Sequence, residues 1–370
     1  MTTTYPNQFA RIGVSDEAVA RRIRSAFDTI FFDPEEKFYH DIDPDAGCME
    51  DTGNHDARTE GMSYGMMMAV QMDHKEPFDR LWCFSRRYMY LSEGPNAGYF
   101  AWSTQLNGTH NAEGPAPDGE EYYAMALLFA AHRWGCGEGI YDYASEARAI
   151  LRHMVHQPEL VPGGAPMMHP DNHYILFVPG CPFTDASYHL PHFYELFARE
   201  ADEADRPFWQ EAARAAREYI VLSADPATGL SPEYSQFDGT LIRRKEAPAP
   251  YYSDAYRVAE NIALHHLWCG RDEALSAVAT HIQDFFHDHV DGDDYRCYEL
   301  TGEAVETPAL HPVAITAVLG AASIASDSAH ADEFLTRFWN TPLRKGSRRY
   351  YDNCLYFFCL LMLGGQYRMF

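Results

Sequence analysis

Apolar positions along this chain of 370 residues form two kinds of helical pattern. In the first, hydrophobic residues recur every three or four positions: Val19, Ile23, Phe27 and Ile30; Ile140, Ala144, Ala147, Leu151 and Met154; Phe208, Ala212, Ala215 and Tyr219; Leu275, Val278, Ile282 and Phe285. Such stripes predict helices with one wet face. In the second, segments 122–131, 258–268, 315–324 and 354–363 are apolar on nearly every side, which predicts helices buried all round. Buried segments start at Thr59, Asp118, Asp185, Asp254, Leu310 and Tyr350, so there are six. Each follows an amphipathic partner, including 78–91 ahead of the second and Ala331, Phe334, Leu335, Phe338 and Trp339 ahead of the sixth. Six outer and six inner helices close naturally into an all-α double ring. No Pro/Gly/Ser linker or low-complexity tract divides the chain, so a single domain over 1–370 is expected.

In such a ring the inner helices run parallel and their N-termini face one end. Glu60, Asp118, Asp185, Asp254 and His311 therefore gather at one rim. A helix entrance has free N–H groups and a positive dipole end, so an acid there serves either as a cap or, where several ends meet in one cavity, in acid/base chemistry. Cleaving a glycosidic bond requires a protonated carboxyl for the leaving oxygen and an ionised carboxylate for water. The longer connections, 94–117, 157–184 and 224–253, precede inner helices and are rich in Gly, Pro, Asn, Tyr and Trp, so binding loops are expected on the rim that carries the acids.

Composition narrows the ligand. A net charge of -25, from 54 acids against 29 bases, argues against a nucleic-acid or anionic-membrane surface, where counterion release needs clustered Lys and Arg. Aromatics reach 14%, and many adjoin acids, as stacking on sugar faces requires; the competing use is an aromatic-rich core. Trp102, Tyr251, Tyr350 and Tyr351 are the candidate sugar platforms. Eight cysteines without a CxxC pair predict reduced thiols rather than a zinc site. The loop His169-Pro170-Asp171-Asn172-His173, the pairs His153/His156 and His265/His266, and Asp291-Gly292-Asp293-Asp294 lack metal-site spacing, so neither metal nor cofactor is expected. The first residues show no basic and apolar leader pattern and no run reaches transmembrane length, which predicts a soluble cytoplasmic protein. The expected partner is a small neutral or cationic ligand; the pattern sets no oligomeric state.

The runs Thr59-Glu60-Gly61-Met62-Ser63-Tyr64-Gly65, Gly98-Tyr99-Phe100-Ala101-Trp102, Pro117-Asp118-Gly119-Glu120-Glu121-Tyr122, Asp185-Ala186-Ser187-Tyr188-His189-Leu190-Pro191 and Tyr252-Ser253-Asp254-Ala255-Tyr256-Arg257-Val258 resemble glycoside hydrolase family 8. The resemblance spans essentially the whole chain. It implies an (α/α)6 barrel that hydrolyses β-1,4 links in xylan, cellulose, chitosan or mixed β-glucan with inversion. Within the family the chain is most similar to the reducing-end xylose-releasing exo-oligoxylanases. The resemblance implies Glu60 as general acid, Asp254 as general base, Tyr188 sharing the attacking water, Asp118 in the central subsites and Arg257 close by. The stretch Pro308-Ala309-Leu310-His311-Pro312 resembles the Leu-His-Pro loop that closes the cleft in those enzymes, which implies His311 on the free anomeric hydroxyl; a helix-capping histidine is the plain alternative.

Physical requirements agree with those roles. Glu60 must stay protonated near neutrality although a helix N-terminus favours the ionised form, so it needs burial or a negative neighbour such as Asp118. Asp254 needs the opposite, and a helix end with Arg257 nearby supplies it. Two other functions stay open: an endo-acting xylanase, glucanase or chitosanase of the same family, the acidic charge suiting chitosan, and a sugar epimerase or non-catalytic binding barrel.

Overall fold

A computed structural model describes residues 5–370, which contain twelve α-helices. Six carry the wet-faced stripes: α1 (Asp16–Phe31), α3 (Lys75–Phe84), α5 (Tyr143–Leu160), α7 (Arg206–Ser223), α9 (Glu273–His289) and α11 (Ala331–Asn340). The other six are the apolar segments: α2 (Thr59–Met72), α4 (Pro117–Trp134), α6 (Pro191–Glu200), α8 (Arg257–Cys269), α10 (Pro312–Ala322) and α12 (Arg349–Leu363). Burial separates the two sets: α10 is buried without a break over 314–322 and α12 over 350–363, whereas α1 buries only one stripe. Successive inner helices touch, and α12 returns to α2, closing the ring into an (α/α)6 barrel.

Each outer helix packs mainly on the inner helix before it in sequence: α3 on α2, α5 on α4, α7 on α6, while α1 closes the ring on α12. The predicted pairing set each outer helix with the inner helix that follows. Connection length explains the difference. Only Asp73 and His74 separate α2 from α3, and Gly270 to Asp272 separate α8 from α9, so these neighbours fold back antiparallel. The long connections all run from an outer helix to the next inner N-terminus and therefore build one rim.

These connections hold three two-stranded antiparallel pairs that helical periodicity did not predict: β1 (Tyr39–Asp41) with β2 (Gly47–Met49), β3 (Ala57–Arg58) with β4 (Ser103–Thr104), and β5 (Arg296–Tyr298) with β6 (Ala304–Pro308). The middle pair matters most for the rim, because it carries the 90–116 connection onto the start of α2, where Thr59 N donates to Trp102 O at 3.0 Å.

Three inner helices begin later than expected, α10 by only two residues, at Pro312. Asp185 accepts from Ser187 N at 2.7 Å and starts a 3₁₀ turn, Ala186–Tyr188, and α6 begins only at Pro191, a residue that suits a first helical turn. Asp254 lies in a 3₁₀ turn, Ser253–Tyr256, that runs straight into α8. All eight cysteines are free, and no helix of the described residues is long and apolar enough to cross a membrane.

The rim depends on close contact between α2 and α4. A Cβ at Gly119 would lie 2.4 Å from the Thr59 side chain. Gly119→Ala should therefore force the two N-termini apart and cost about 1–3 kcal/mol, read as a lower Tm. Gly114→Ala, where an added Cβ meets nothing within 4 Å, should leave Tm unchanged. Equal melting of the two variants would remove the close-packing argument.

Candidate active site

The centre of the rim is organised by one guanidinium. Arg257, in the first turn of α8, is almost fully buried. Its Nη1 donates to Tyr64 OH at 2.9 Å and Asp118 Oδ2 at 3.0 Å and reaches Glu60 Oε2 at 3.3 Å. Its Nη2 donates to Ser187 Oγ at 3.0 Å and lies 3.5 Å from Asp254 Oδ1. Side chains from α2, α4, the turn before α6 and the turn before α8 thus converge on one cation. Glu60 and Asp254 are thereby held against the two ends of one guanidinium.

The surroundings raise the proton affinity of the buried carboxyl groups. Burial raises Glu60 to about 7; Arg257 opposes the rise, Asp118 and Asp254 add to it, and the Tyr350 hydroxyl, donating to Glu60 Oε1 at 2.8 Å, opposes it again. Asp118 is raised by burial too, with Arg257 opposing and Asp254 adding. Glu60 can therefore keep its proton far closer to neutrality than an ordinary carboxyl does. A carboxyl poised in this way can give a proton and take it back.

Glu60 and Asp254 form the boundary between two compartments. The larger, about 470 Å³, is walled by Trp102, Asp118, Phe177, Tyr188, Glu233 and Tyr252 among others. The smaller, about 160 Å³, is walled by Asp51, Leu310, His311, Arg348, Tyr350 and Tyr351. Arg58, Glu60, Ser253 and Asp254 line both. The cleft is thus lopsided about its central acids, with roughly a third as much room on one side.

The expected residues fall as follows. Tyr188 lines the large compartment, its ring 5.4 Å from the Arg257 guanidinium and stacked on Phe177. Trp102 is 37% exposed, with the Arg58 guanidinium 5.3 Å from its ring, and so offers an open aromatic face. Tyr350 and Tyr351 wall the small compartment but are mostly covered; beside the Tyr350 bond to Glu60, Tyr351 OH donates to Ser253 O at 3.1 Å. Tyr251 is not a sugar platform: it is 2% exposed and packs on Tyr256 and Phe286, while Tyr252 beside it faces the cleft. Backbone pairing of Tyr251 with Tyr298 fixes this alternation. His311 occupies the N-cap position of α10 but its side chain caps nothing; the N–H groups of Val313 and Ala314 donate to Asp352 instead.

Glu233 was not foreseen. It sits in the 224–256 connection, far from any helix mouth, is buried, accepts from Asp254 N at 3.3 Å and pairs with Arg244 at 2.9 Å. Burial, reinforced by Asp254, raises it to about 7 against the pull of Arg244. Its only signal in the chain is its place in a Tyr-rich loop. Nor did spacing single out His287, Asp288 and His330, which bring one ligand atom each within 4.8 Å of one another; they line neither compartment. In the His169 loop, His169 Nδ1 accepts from the backbone of Asp171 and Asn172, as a polar turn.

Residues 25–365 match the family model for glycosyl hydrolases family 8. The chain is 50% identical to the reducing-end xylose-releasing exo-oligoxylanase Rex8A of Paenibacillus barcinonensis, over 100% of this chain and 97% of the relative. It is 46% identical to a reducing end xylose-releasing exo-oligoxylanase of Bifidobacterium adolescentis, over 98% and 96% of the two chains. The structure of Rex8A complexed with xylose superposes with a TM-score of 0.95 at 50% identity, covering 99% of this chain and 97% of that one.

The Tyr350 bond favours the ionised form of Glu60, so Tyr350→Phe should raise the Glu60 pKa above about 7. Carboxyl ¹³C NMR titration of the two proteins reads this directly. A Glu60 that titrates in the ordinary carboxylate range near 4.5 in the unmodified protein would contradict the buried, acid-flanked setting.

Proposed function

This chain belongs to glycoside hydrolase family 8, and on that premise we propose that it hydrolyses β-1,4-xylooligosaccharides with inversion, releasing xylose from the reducing end. The observation that carries the reading is the lopsided cleft, with one small compartment beyond Glu60 and Asp254 and a larger one before them. A chain threaded from the large side can place only a short end past the acids. The names of the similar proteins from Paenibacillus barcinonensis and Bifidobacterium adolescentis agree with this direction of attack.

In this reading Glu60 is the general acid and gives its proton to the glycosidic oxygen as the bond to the terminal xylose breaks. Asp254, with Tyr188, orients a water on the opposite face of the sugar and takes its proton as the oxygen bonds to the anomeric carbon. Arg257 stabilises the carboxylate left on Glu60, and Asp118 binds the sugar in the central position. Trp102 supplies a stacking face in the large compartment, and Tyr350 and Tyr351 shape the small one. No cofactor or metal enters these steps.

Both compartments set arginines beside their acids, Arg58 and Arg244 in one and Arg58 and Arg348 in the other. They offset only part of the acidic lining, four acids against two arginines in the large compartment and three against two in the small, which leaves room for neutral sugars. The same reading gives the protein one catalytic domain and a place in the cytoplasm, since a cleft closed after one sugar suits oligomers already short on arrival.

Xylopentaose should give xylose and xylotetraose first, with the new reducing end of xylotetraose formed as the α-anomer by ¹H NMR. Early xylobiose and xylotriose would leave an endo-xylanase as the better reading, and an initial β-anomer would exclude inversion. Glu60→Gln and Asp254→Asn should each lower turnover by a factor on the order of 100 or more while oligosaccharide still binds. Because Glu60 must be protonated, kcat should fall as pH rises through a basic limb near 7, shifted by any bound sugar.

A further inference from the structure

His311 walls the small compartment and is held by a buried acid behind it. Asp352, at the start of α12, has no exposure to solvent. Each of its oxygens meets two donors. Oδ1 accepts from Val313 N and Ala314 N, both at 2.9 Å; Oδ2 accepts from Arg344 Nη1 at 2.6 Å and lies 2.8 Å from His311 Nδ1. Two backbone N–H groups and a guanidinium can only donate, so the carboxylate acts as acceptor throughout and Nδ1 of His311 must carry a proton. In a neutral imidazole this leaves Nε2 bare, with a lone pair and no donor function. Nε2 has no hydrogen-bond partner among the described residues.

Arg344 strengthens the arrangement. Its Nη1 also donates to Leu310 O at 2.6 Å, and its backbone is held on both sides by Asn353, whose Oδ1 accepts from Arg344 N at 2.8 Å and whose Nδ2 donates to Arg344 O at 3.0 Å. The wall at 310–312 is therefore tied to α12 by a clamp as well as stiffened by its proline.

We propose that Asp352 is a positioning residue for reducing-end selectivity: it fixes His311 in the Nδ1–H tautomer, so that Nε2 presents an obligate acceptor to the sugar in the small compartment. This rests on the reducing-end reading above and adds its chemical logic. An acceptor requires a donor on the anomeric carbon. A free anomeric hydroxyl can donate, whereas the ether oxygen of a glycoside can only accept. The tautomer thus distinguishes a chain end from a chain interior or an alkyl glycoside, a discrimination that the opposite tautomer, with Nε2–H as donor, would not make. In Asp352→Asn the amide oxygen is needed by the two α10 N–H groups, which turns the NH₂ toward His311 Nδ1 and makes Nδ1 the acceptor and Nε2 the donor, while Arg344 Nη1, which can only donate, loses this partner and keeps Leu310 O.

Two measurements test this. In the unmodified protein, ¹⁵N-histidine long-range NMR should show His311 as the Nδ1–H tautomer at pH 8, a result that needs no variant to fold. Kinetically, the ratio of kcat/KM for xylotriose to that for its methyl β-glycoside should fall about tenfold or more in Asp352→Asn, with His311 switching to Nε2–H. Damage to the fold alone would lower both rates together and leave the ratio in place, which would overturn the positioning role. An Nε2–H tautomer in the unmodified protein would overturn it too. An unmodified enzyme that cleaves the free and capped substrates equally would instead defeat the reducing-end reading, and the role of Asp352 with it.

Discussion

A cation buried among acids is the constraint on which the rest of this structure turns. Arg257 is out of water, where an unpaired guanidinium is strongly disfavoured, and its two terminal nitrogens are paired by groups from four different rim segments. Those partners come from distant parts of the chain, so the ring, the register of its inner helices and the loops above them must all agree. In return, Glu60 and Asp118 are held in a water-poor setting where their proton affinities rise. Glu60 and Asp118 are both raised by burial and by the charge of Asp254, Glu60 by Asp118 as well, and Arg257 limits the rise.

The barrel places this network by a rule of connection length. Short links turn each inner helix back into an outer one at the far end, and long links return to the rim. Every inner N-terminus is thereby accompanied by a loop long enough to contribute side chains. β3 and β4 fix Trp102 beside the start of α2, and the 224–256 connection carries Glu233 under the backbone of Asp254. A rigid ring with irregular loops on one face divides the labour: packing sets the distances between acids, and the loops set the shape of the cleft.

That shape is unequal because the last connections behave differently from the first. The 90–116 and 161–190 stretches open a wide compartment, whereas 310–312 is drawn inward by Arg344 and Asp352. Direction of attack, in the proposed reading, is then a property of one wall rather than of the catalytic groups, which would serve an open cleft equally well.

Helix number, the two helix classes and the rim acids were legible in the chain because they rest on local periodicity: a 3.6-residue repeat shows which helices are wet on one side, and a carboxylate at the mouth of an apolar run is visible without its neighbours. Glu60, Asp118, Asp254 and Arg257 meet where the ordered motifs implied. The short strands, the closure of α1 on α12 and the contribution of Glu233 were not legible, since each depends on contacts between residues far apart in the chain. Tyr251 and Tyr252 make the point at the scale of one residue. As letters they are equivalent, but the bridge to Tyr298 turns one into the core and the other to the cleft. Asp352 and His311 are 41 positions apart, and no spacing rule joins them. The sequence by itself determined which elements form and which acids stand at their ends; tertiary structure alone decided which side chains share a cavity, because that depends on how the ring closes rather than on any local pattern.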